Sequence, residues 1–395
     1  MNYHIFPQDK FFDAYIEDIY KLHQENNNVF WVRGREGDSA YFRTKRPVEY
    51  IGSDKDTIID RIKTLNPEDK LFVSWYDLFI GDCILKSGIP NKLYVYLMGG
   101  DFYDDPMGYH NYWLYDKYTK RIVEKFQFPQ INLKRKPHNW GKVIKEIRDR
   151  NEFKKRIREQ YNEKLKTIGR IDYLVTGADN NSEVELIKKL YPSFKGNYVY
   201  GSYDQNFDLA KNVIPVETYS GDRPLRVLLG NSADPTNNHI DACKLIIKRL
   251  PKDSIIYCPL SYGNAEYSAA FQQWAKQHLQ SRFCPILDFL NRKDYVERLN
   301  SMDVVIMFHN RQQAFGNIIT SLCLGKPVFI KRESPLASML KSIGVPAIYS
   351  IDMLNKRRIS QICESACKDR PLTLSIIRDY YSEKARLNNI QEIII

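Results

Sequence analysis

The sequence predicts an α/β protein with two parallel-sheet domains. Short, branched apolar runs alternate with helix-patterned segments along most of its 395 residues, which is the signature of strand–helix–strand units. The length exceeds what one hydrophobic core usually organises. A stretch from Asn206 to Asp222, containing Pro215 and Gly221, interrupts the alternation and reads as a linker. In the first domain, residues 1–206, strands are expected at Tyr3 to Phe6, Phe30 to Arg33, Leu71 to Trp75, Leu93 to Met98, Tyr173 to Thr176 and Tyr198 to Tyr200. Helices are expected between them at Phe11 to Asn26, Thr57 to Leu65, Asn139 to Lys166 and Glu183 to Leu190. The second domain, residues 207–371, repeats the pattern with strands at Val227 to Leu229, Ile255 to Cys258, Arg282 to Ile286, Val304 to Phe308 and Val328 to Ile330. Residues 372–395 form a terminal segment whose helix runs from Leu374 to Ile395.

The most informative stretch is Leu225 to Ile240, LRVLLGNSADPTNNHI. A strand buried on both faces runs into Gly230, Asn231 and Ser232, then a proline turn, with Asn237 or Asn238 capping the next helix. Gly230 removes a side chain where a ligand approaches closely. Ligands of parallel sheets collect at the carboxyl ends of strands, and anions at helix N-termini. Two further strand exits carry suitable chemistry. Asp303 to His309 leads into Asn310-Arg311-Gln312-Gln313, then Ala314-Phe315-Gly316-Asn317 and a helix from Ile318 to Leu324. Pro327 to Ile330 leads into Lys331-Arg332-Glu333-Ser334-Pro335. The guanidinium of Arg311 offers a fixed fork of donors that fits a diphosphate, and Glu333 can accept from ribose hydroxyls. Together the three exits describe a pocket for a nucleoside diphosphate. Tyr262, Asn264 and Tyr267, beyond the strand ending at Cys258, are placed to touch a base or a sugar.

These residues resemble glycosyltransferase family 56, the TDP-N-acetylfucosamine:lipid II N-acetylfucosaminyltransferases, also labelled 4-alpha-L-fucosyltransferase. The motifs that carry the resemblance are Val227 to Ile240, CPLSYG at Cys258 to Gly263 followed by Asn264-Ala265-Glu266-Tyr267, Asp303 to Gly316 with its Arg311-Gln312-Gln313 centre, and Arg332-Glu333-Ser334-Pro335. In the first half it rests on Gly99-Gly100-Asp101-Phe102-Tyr103, where Met98 stands in place of the family's Trp. The resemblance implies a GT-B architecture, two Rossmann-like domains facing across a cleft. The donor would be held mainly by the second domain, and the terminal helix would cross back to the first. It also implies acceptors carried on a polyprenyl diphosphate at the inner face of the cytoplasmic membrane.

Charge and composition narrow the class further. No apolar stretch is long enough to cross a bilayer, and the N-terminus shows no signal-peptide pattern, so a cytoplasmic protein is expected. Cys83, Cys243, Cys258, Cys284, Cys323, Cys363 and Cys367 include no CxxC pair and read as reduced thiols, with neither a disulfide frame nor a metal site. The net charge is +11, and Lys134 to Arg170 carries fourteen basic residues against five acids, with Trp140 and Phe153 among them. Such a basic helical segment suits the surface of an anionic membrane. A solvated helix face or a polyanion site is the alternative reading of the same charge.

Sugar transfer requires an acceptor hydroxyl relieved of its proton and a departing diphosphate neutralised. For the second task the sequence offers Arg311, helped by Asn231, Ser232 and amides near Gly316. For the first it offers Asp101, which follows the strand LYVYLM, with Gly99 and Gly100 allowing close approach. Asp104 and Asp105 lack the spacing of a metal-binding DxD, and no metal or other cofactor is expected. His4 and His309 are weaker candidates. The expected enzyme is thus a metal-independent hexosyltransferase. It would move a deoxy or deoxyamino sugar, such as Fuc4NAc from TDP, onto a polyprenyl-diphosphate-linked saccharide in surface polysaccharide assembly. Its partners would be that donor, that acceptor and an anionic membrane surface, with no nucleic acid. The alternatives are a GT-B fucosyltransferase using GDP-fucose or another donor, and a non-catalytic binder of nucleotide sugars or anionic lipid.

Overall fold

The computed structural model describes residues 1–103, 114–127, 131, 140–177, 182–201 and 218–395. The chain forms two compact units, Met1–Pro106 with Ile157–Gln205 and Tyr381–Ile395, and Met107–Arg156 with Asn206–Tyr380.

The first unit is built on strands β1 (Asn2–Phe6), β2 (Asn28–Val32), β3 (Glu49–Tyr50), β4 (Lys70–Ser74), β5 (Lys92–Tyr96), β6 (Tyr173–Thr176) and β7 (Asn197–Tyr200). All pair in parallel, in the order β3-β2-β1-β4-β5-β6-β7. The crossovers include α1 (Lys10–Lys21), α2 (Lys55–Ile62), α3 (Leu78–Ser87) and the short α4 (Gly100–Tyr103). Ile5, Leu71, Val73, Leu93, Val95 and Leu174 are fully buried, as strands covered on both faces must be. The order reverses between β1 and β4, and loops at the carboxyl ends of those strands are where such sheets take ligands.

The second unit contains α5 (Lys117–Gln127) and the first half of the basic helix α6 (Trp140–Gly169), which lie in the sequence before α7 (Ser182–Leu190) of the first unit. Its sheet comprises β8 (Arg226–Leu229), β9 (Ile255–Pro259), β10 (Phe283–Ile286), β11 (Val304–Met307), β12 (Val328–Ile330) and β13 (Ile348–Ser350). The strands are again all parallel, in the order β10-β9-β8-β11-β12-β13. Between them run α8 (His239–Ile246), α9 (Ala265–Leu279), α10 (Arg292–Asn300), α11 (Phe315–Cys323) and α12 (Pro335–Ser342), followed by α13 (Ile359–Lys368) and α14 (Arg370–Tyr380). The reversal falls between β8 and β11, where Val227 faces Val304 and Leu229 faces Ile306.

Two features depart from the sequence reading. First, α5 belongs with the second unit because Asp241 on α8 caps it from a distance. The Asp241 carboxylate accepts from Tyr118 N (2.9 Å), Thr119 N (2.9 Å) and the Thr119 hydroxyl (2.8 Å). Second, the single terminal helix expected from Leu374 is two helices. The chain breaks after Tyr380, and Ser382 opens α15 (Glu383–Ile394), its hydroxyl accepting from Ala385 N at 3.0 Å. α15 completes the first unit: Ile390, Ile393 and Ile394 join the cluster around Phe6, Phe12 and Phe30, Arg386 grips buried Asp18 at 2.7 and 3.0 Å, and Asn2 donates to the Ile394 carbonyl at 2.8 Å. The linker placed at Asn206 to Asp222 falls outside the described residues up to 217.

Candidate active site

At the switch point of the second sheet, β8 ends in Gly230, whose φ of +73° belongs to the region glycine favours. A Cβ there would sit 2.7 Å from both Asn237 Oδ1 and His239 Nε2, so the turn has no room for another residue. Asn237 fastens this turn. Its side chain donates to Ser232 Oγ (3.3 Å) and the Asp234 carbonyl (3.0 Å), and its Oδ1 accepts from Asn231 N at 2.9 Å. Ser232 is buried, its hydroxyl oxygen already accepting from Asp234 N and Asn237. It supports the turn from within. Of the two expected caps, Asn238 takes the N-cap position of α8 at φ +50°, with no side-chain cap bond.

Asn231 is drawn into a network that ties three strand exits together. Its amide donates to the Tyr262 hydroxyl (3.2 Å), and its Oδ1 accepts from Gln313 Nε2 (3.1 Å). Gln313 Oε1 in turn accepts from the Thr236 hydroxyl at 2.5 Å. Tyr262 remains 55% exposed, its ring available as a stacking surface. Asn264 is committed to capping α9, accepting from Tyr267 N at 2.8 Å. Tyr267 lies fully buried against His239 and Phe271.

After β11, Arg311 is 8% exposed and its Nη1 donates to the Gln312 carbonyl at 3.4 Å; Gln312 itself is half-buried. The start of α11 has no side-chain cap. Ala314 holds the N-cap at φ +59° with no side-chain bond, and nothing lies within 4 Å of where a Gly316 Cβ would stand. First-turn amides of a helix carry partial positive charge and bind anions. Asn317 donates to the Tyr295 hydroxyl at 3.1 Å. After β12, Arg332 and Glu333 are exposed, and Ser334 takes the N-cap of α12. The Ser334 hydroxyl is buried and has no partner among the described residues.

In the first unit, Asp101 lies in α4 beyond the β5 exit. Gly99, at φ +100°, turns the chain, and its carbonyl accepts from Phe102 N and Tyr103 N. Asp101 is buried; its Oδ2 accepts from Tyr76 N at 3.2 Å, and its Oδ1 has no partner among the described residues. Burial raises its carboxyl to about 6, against the opposing pull of the Tyr76 amide and the Lys164 charge. Asp104 and Asp105 lie outside the described residues. His4 is a core group, hydrogen-bonded to Asn28 (2.7 Å) and Tyr15 (3.2 Å) and stacked on Phe72.

Sequence reasoning missed Thr236, Tyr295 and Asn310. Thr236 and Asn310 lie inside motifs already quoted and could have been found there. Tyr295 sits within α10 and carries no local signal.

Among the described residues, no helix is long and apolar enough to cross a membrane. Several solved structures share the fold. They include a sucrose-phosphate synthase of Thermosynechococcus elongatus (TM-score 0.55, 10% identity, covering 100% of this chain and 98% of that one). The lipopolysaccharide outer core galactosyltransferase WaaB matches with TM-score 0.54 and 10% identity over 100% of this chain and 99% of its own. An alpha,alpha-trehalose-phosphate synthase (UDP-forming) from Burkholderia vietnamiensis matches with TM-score 0.52 and 9% identity, covering 100% and 99%. The two parallel-sheet units are thus the Rossmann-like domains of a GT-B glycosyltransferase. Residues 169–375 match the family described as 4-alpha-L-fucosyltransferase glycosyl transferase group 56. The chain belongs to that family and is a hexosyltransferase, taking a sugar from a nucleotide-sugar donor to a saccharide acceptor.

Proposed function

We propose that the enzyme transfers a deoxyamino sugar, Fuc4NAc, from its TDP conjugate to a polyprenyl-diphosphate-linked saccharide in surface polysaccharide assembly. The observation that carries the donor site is the first turn of α11, which has no side-chain cap, open at Gly316 and adjoining Arg311, at the point where the sheet order reverses. Arg311 and the α11 amides would take the diphosphate. Glu333 and Ser334 would take the nucleoside sugar through its free hydroxyl. Tyr262 would stack on the base, with Asn231, Gln312, Gln313 and Asn317 shaping the walls, and Gly230, Ser232 and Asn264 holding those walls in place.

In the transfer step the acceptor oxygen bonds to the anomeric carbon as that carbon's bond to the diphosphate oxygen breaks. The electron pair departs on the diphosphate, and the acceptor proton passes to Asp101. A carboxyl held near 6 is largely ionised at neutral pH yet more basic than an ordinary aspartate.

The acceptor's lipid calls for a membrane surface, and α6 has the face for it. Trp140, Ile144 and Ile147, one side of its first two turns, are 61%, 68% and 39% exposed among Lys142, Lys145 and Arg148. Residues 134–139 of the basic segment lie outside the described residues. The localisation proposed is cytoplasmic, resting on the inner face of the cytoplasmic membrane.

A thermal-shift titration with TDP, UDP and GDP tests the donor assignment, because a ligand that binds only the folded chain raises its melting temperature. Selective stabilisation by TDP is expected. Selective stabilisation by GDP would move the donor to a GDP-sugar, and no shift with any of them would remove the donor site.

A further inference from the structure

Asp116, just ahead of α5, lies far in sequence from the two loops that would hold the donor, yet it touches the residue that opens each of them. Its Oδ1 accepts from Asn310 Nδ2 at 3.1 Å, and its Oδ2 pairs with Lys331 Nζ. Lys331 also donates to Asn310 Oδ1 at 2.7 Å and stands 4.1 Å over the Phe308 ring. An ammonium has three donors. Two carry these hydrogen bonds and the ring faces the charge, so Lys331 is spent on structure. The Asn310 amide is likewise committed, its second donor going to the Leu114 carbonyl at 2.9 Å. The backbone of the same segment fixes the third exit, Asp116 N donating to Asn238 Oδ1 at 2.8 Å.

Asn310 immediately precedes Arg311, and Lys331 stands two residues before Glu333. One carboxylate therefore joins the start of the loop bearing the diphosphate cation to the start of the loop bearing the acceptor for the nucleoside sugar. The strands beneath them, β11 and β12, are neighbours in register, but beyond the last ladder bond the sheet no longer dictates the separation of the loops. We propose that Asp116 is a positioning residue for the donor, setting the distance between Arg311 and Glu333 through Asn310 and Lys331. This inference rests on the donor-site reading above.

A ligand that spans two anchoring points feels a change in their spacing, whereas a fragment held at one point does not. Asp116→Glu keeps the charge and lengthens the side chain by one methylene; Asp116→Asn keeps the length and removes the charge. Both variants are titrated calorimetrically with TDP and, separately, with inorganic pyrophosphate, and their ligand-free melting temperatures are recorded. The expected result is a rise of about tenfold or more in the TDP dissociation constant, with pyrophosphate changed less than about threefold. A folded variant that binds TDP as tightly as the wild type overturns the inference alone. So does a proportional loss of TDP and pyrophosphate, which would mark general damage to the loops. A wild-type chain that binds none of TDP, UDP and GDP overturns the donor reading and this inference with it.

Discussion

His309 Nε2 lies 2.9 Å from Asn237 Oδ1, joining the exit of β11 to the turn that follows β8. Because Asn237 Oδ1 can only accept, His309 carries its proton on Nε2 and presents a bare Nδ1, which has no partner among the described residues. Burial and the nearby charges of Arg311 and Lys331 hold His309 well below the usual histidine range. The imidazole is thus a neutral strut under the loop that carries Asn231. His309→Phe should keep the ring volume, destabilise the fold by about 0.5–1.5 kcal/mol through the lost hydrogen bond to Asn237, whose Oδ1 keeps the bond from Asn231 N, and weaken TDP binding. Urea denaturation with TDP titration checks both; unchanged values would mean that the contact carries nothing.

Acid should unfold the protein earlier than its carboxylates alone would require. Burial lowers His4 to about 4 and His239 to about 3, and depresses His309 as well. Each binds a proton in the unfolded chain near pH 6.5 but resists it when folded, so stability is lost as pH falls from about 6.5 toward those lower values. Asp101 acts oppositely: held near 6 when folded, it favours the fold as pH falls from 6 to the ordinary carboxyl range. Three histidines outweigh one aspartate. Melting temperature should fall steadily from pH 6.5 to 4, and a flat profile across that window would refute the neutral burial of the histidines.

Asp101→Asn removes a buried charge while preserving shape. At pH 8 the variant should be more stable than the wild type by about 1–3 kcal/mol, the order implied by a shift of about two units, while transfer falls by about 10²–10⁴-fold. Calorimetry and a transfer assay with sugar nucleotide report the two effects separately. Transfer by the wild type should rise with pH and level off above about 6. A variant with normal transfer would clear Asp101 of the role of base.

Arg311→Ala should weaken TDP binding by about 10- to 100-fold, the worth of charge-assisted bonds to a diphosphate. Gly316→Ala provides a complementary test. The added methyl meets nothing within 4 Å and favours the helix by up to about 1 kcal/mol, so the fold gains while the donor loses access to the α11 amides. TDP affinity that survives both changes would place the diphosphate elsewhere.

Replacing Trp140 and Ile144 by serine should reduce sedimentation with anionic vesicles, and reversing Lys142, Lys145 and Arg148 should abolish it. Equal binding by all forms would return α6 to a solvated helix.

Parallel strands were easy to read because burial on both faces demands continuous branched runs such as Val227 to Leu229, all fully buried. β3 is two exposed residues, and β13 holds a single branched apolar residue, Ile348, so neither presents the continuous branched run that marks the other strands. Local chemistry also named the loops after β8, β9, β11 and β12, since polar residues directly after buried strands stand where ligands bind. What it could not give was which of those polar groups are already used. Ser232 and Asn264 have the right chemistry, but their oxygens serve their own turns. The placement of α5 depends on Asp241, more than a hundred residues away, and no local signal announces such a pairing. The break before Ser382 was legible: a serine that can cap a new helix stood inside the expected one.

The hydrogen bond from Asn2 to the Ile394 carbonyl, together with the caps on α5, governs how the protein can be made. Strand β1 leaves the ribosome long before the helix that covers its core, residues 383–394. The Leu114–Gln127 segment, synthesised earlier, finds Asn238, Asp241, Asn310 and Lys331 only after the chain has grown by a further 123 to 215 residues. At about 5–20 residues per second, apolar surface on both early pieces waits through several seconds of translation or more. The first unit cannot mature while its own half of the message is being read, so yield should depend on chaperone supply and elongation rate more steeply than for a chain whose domains close in sequence order.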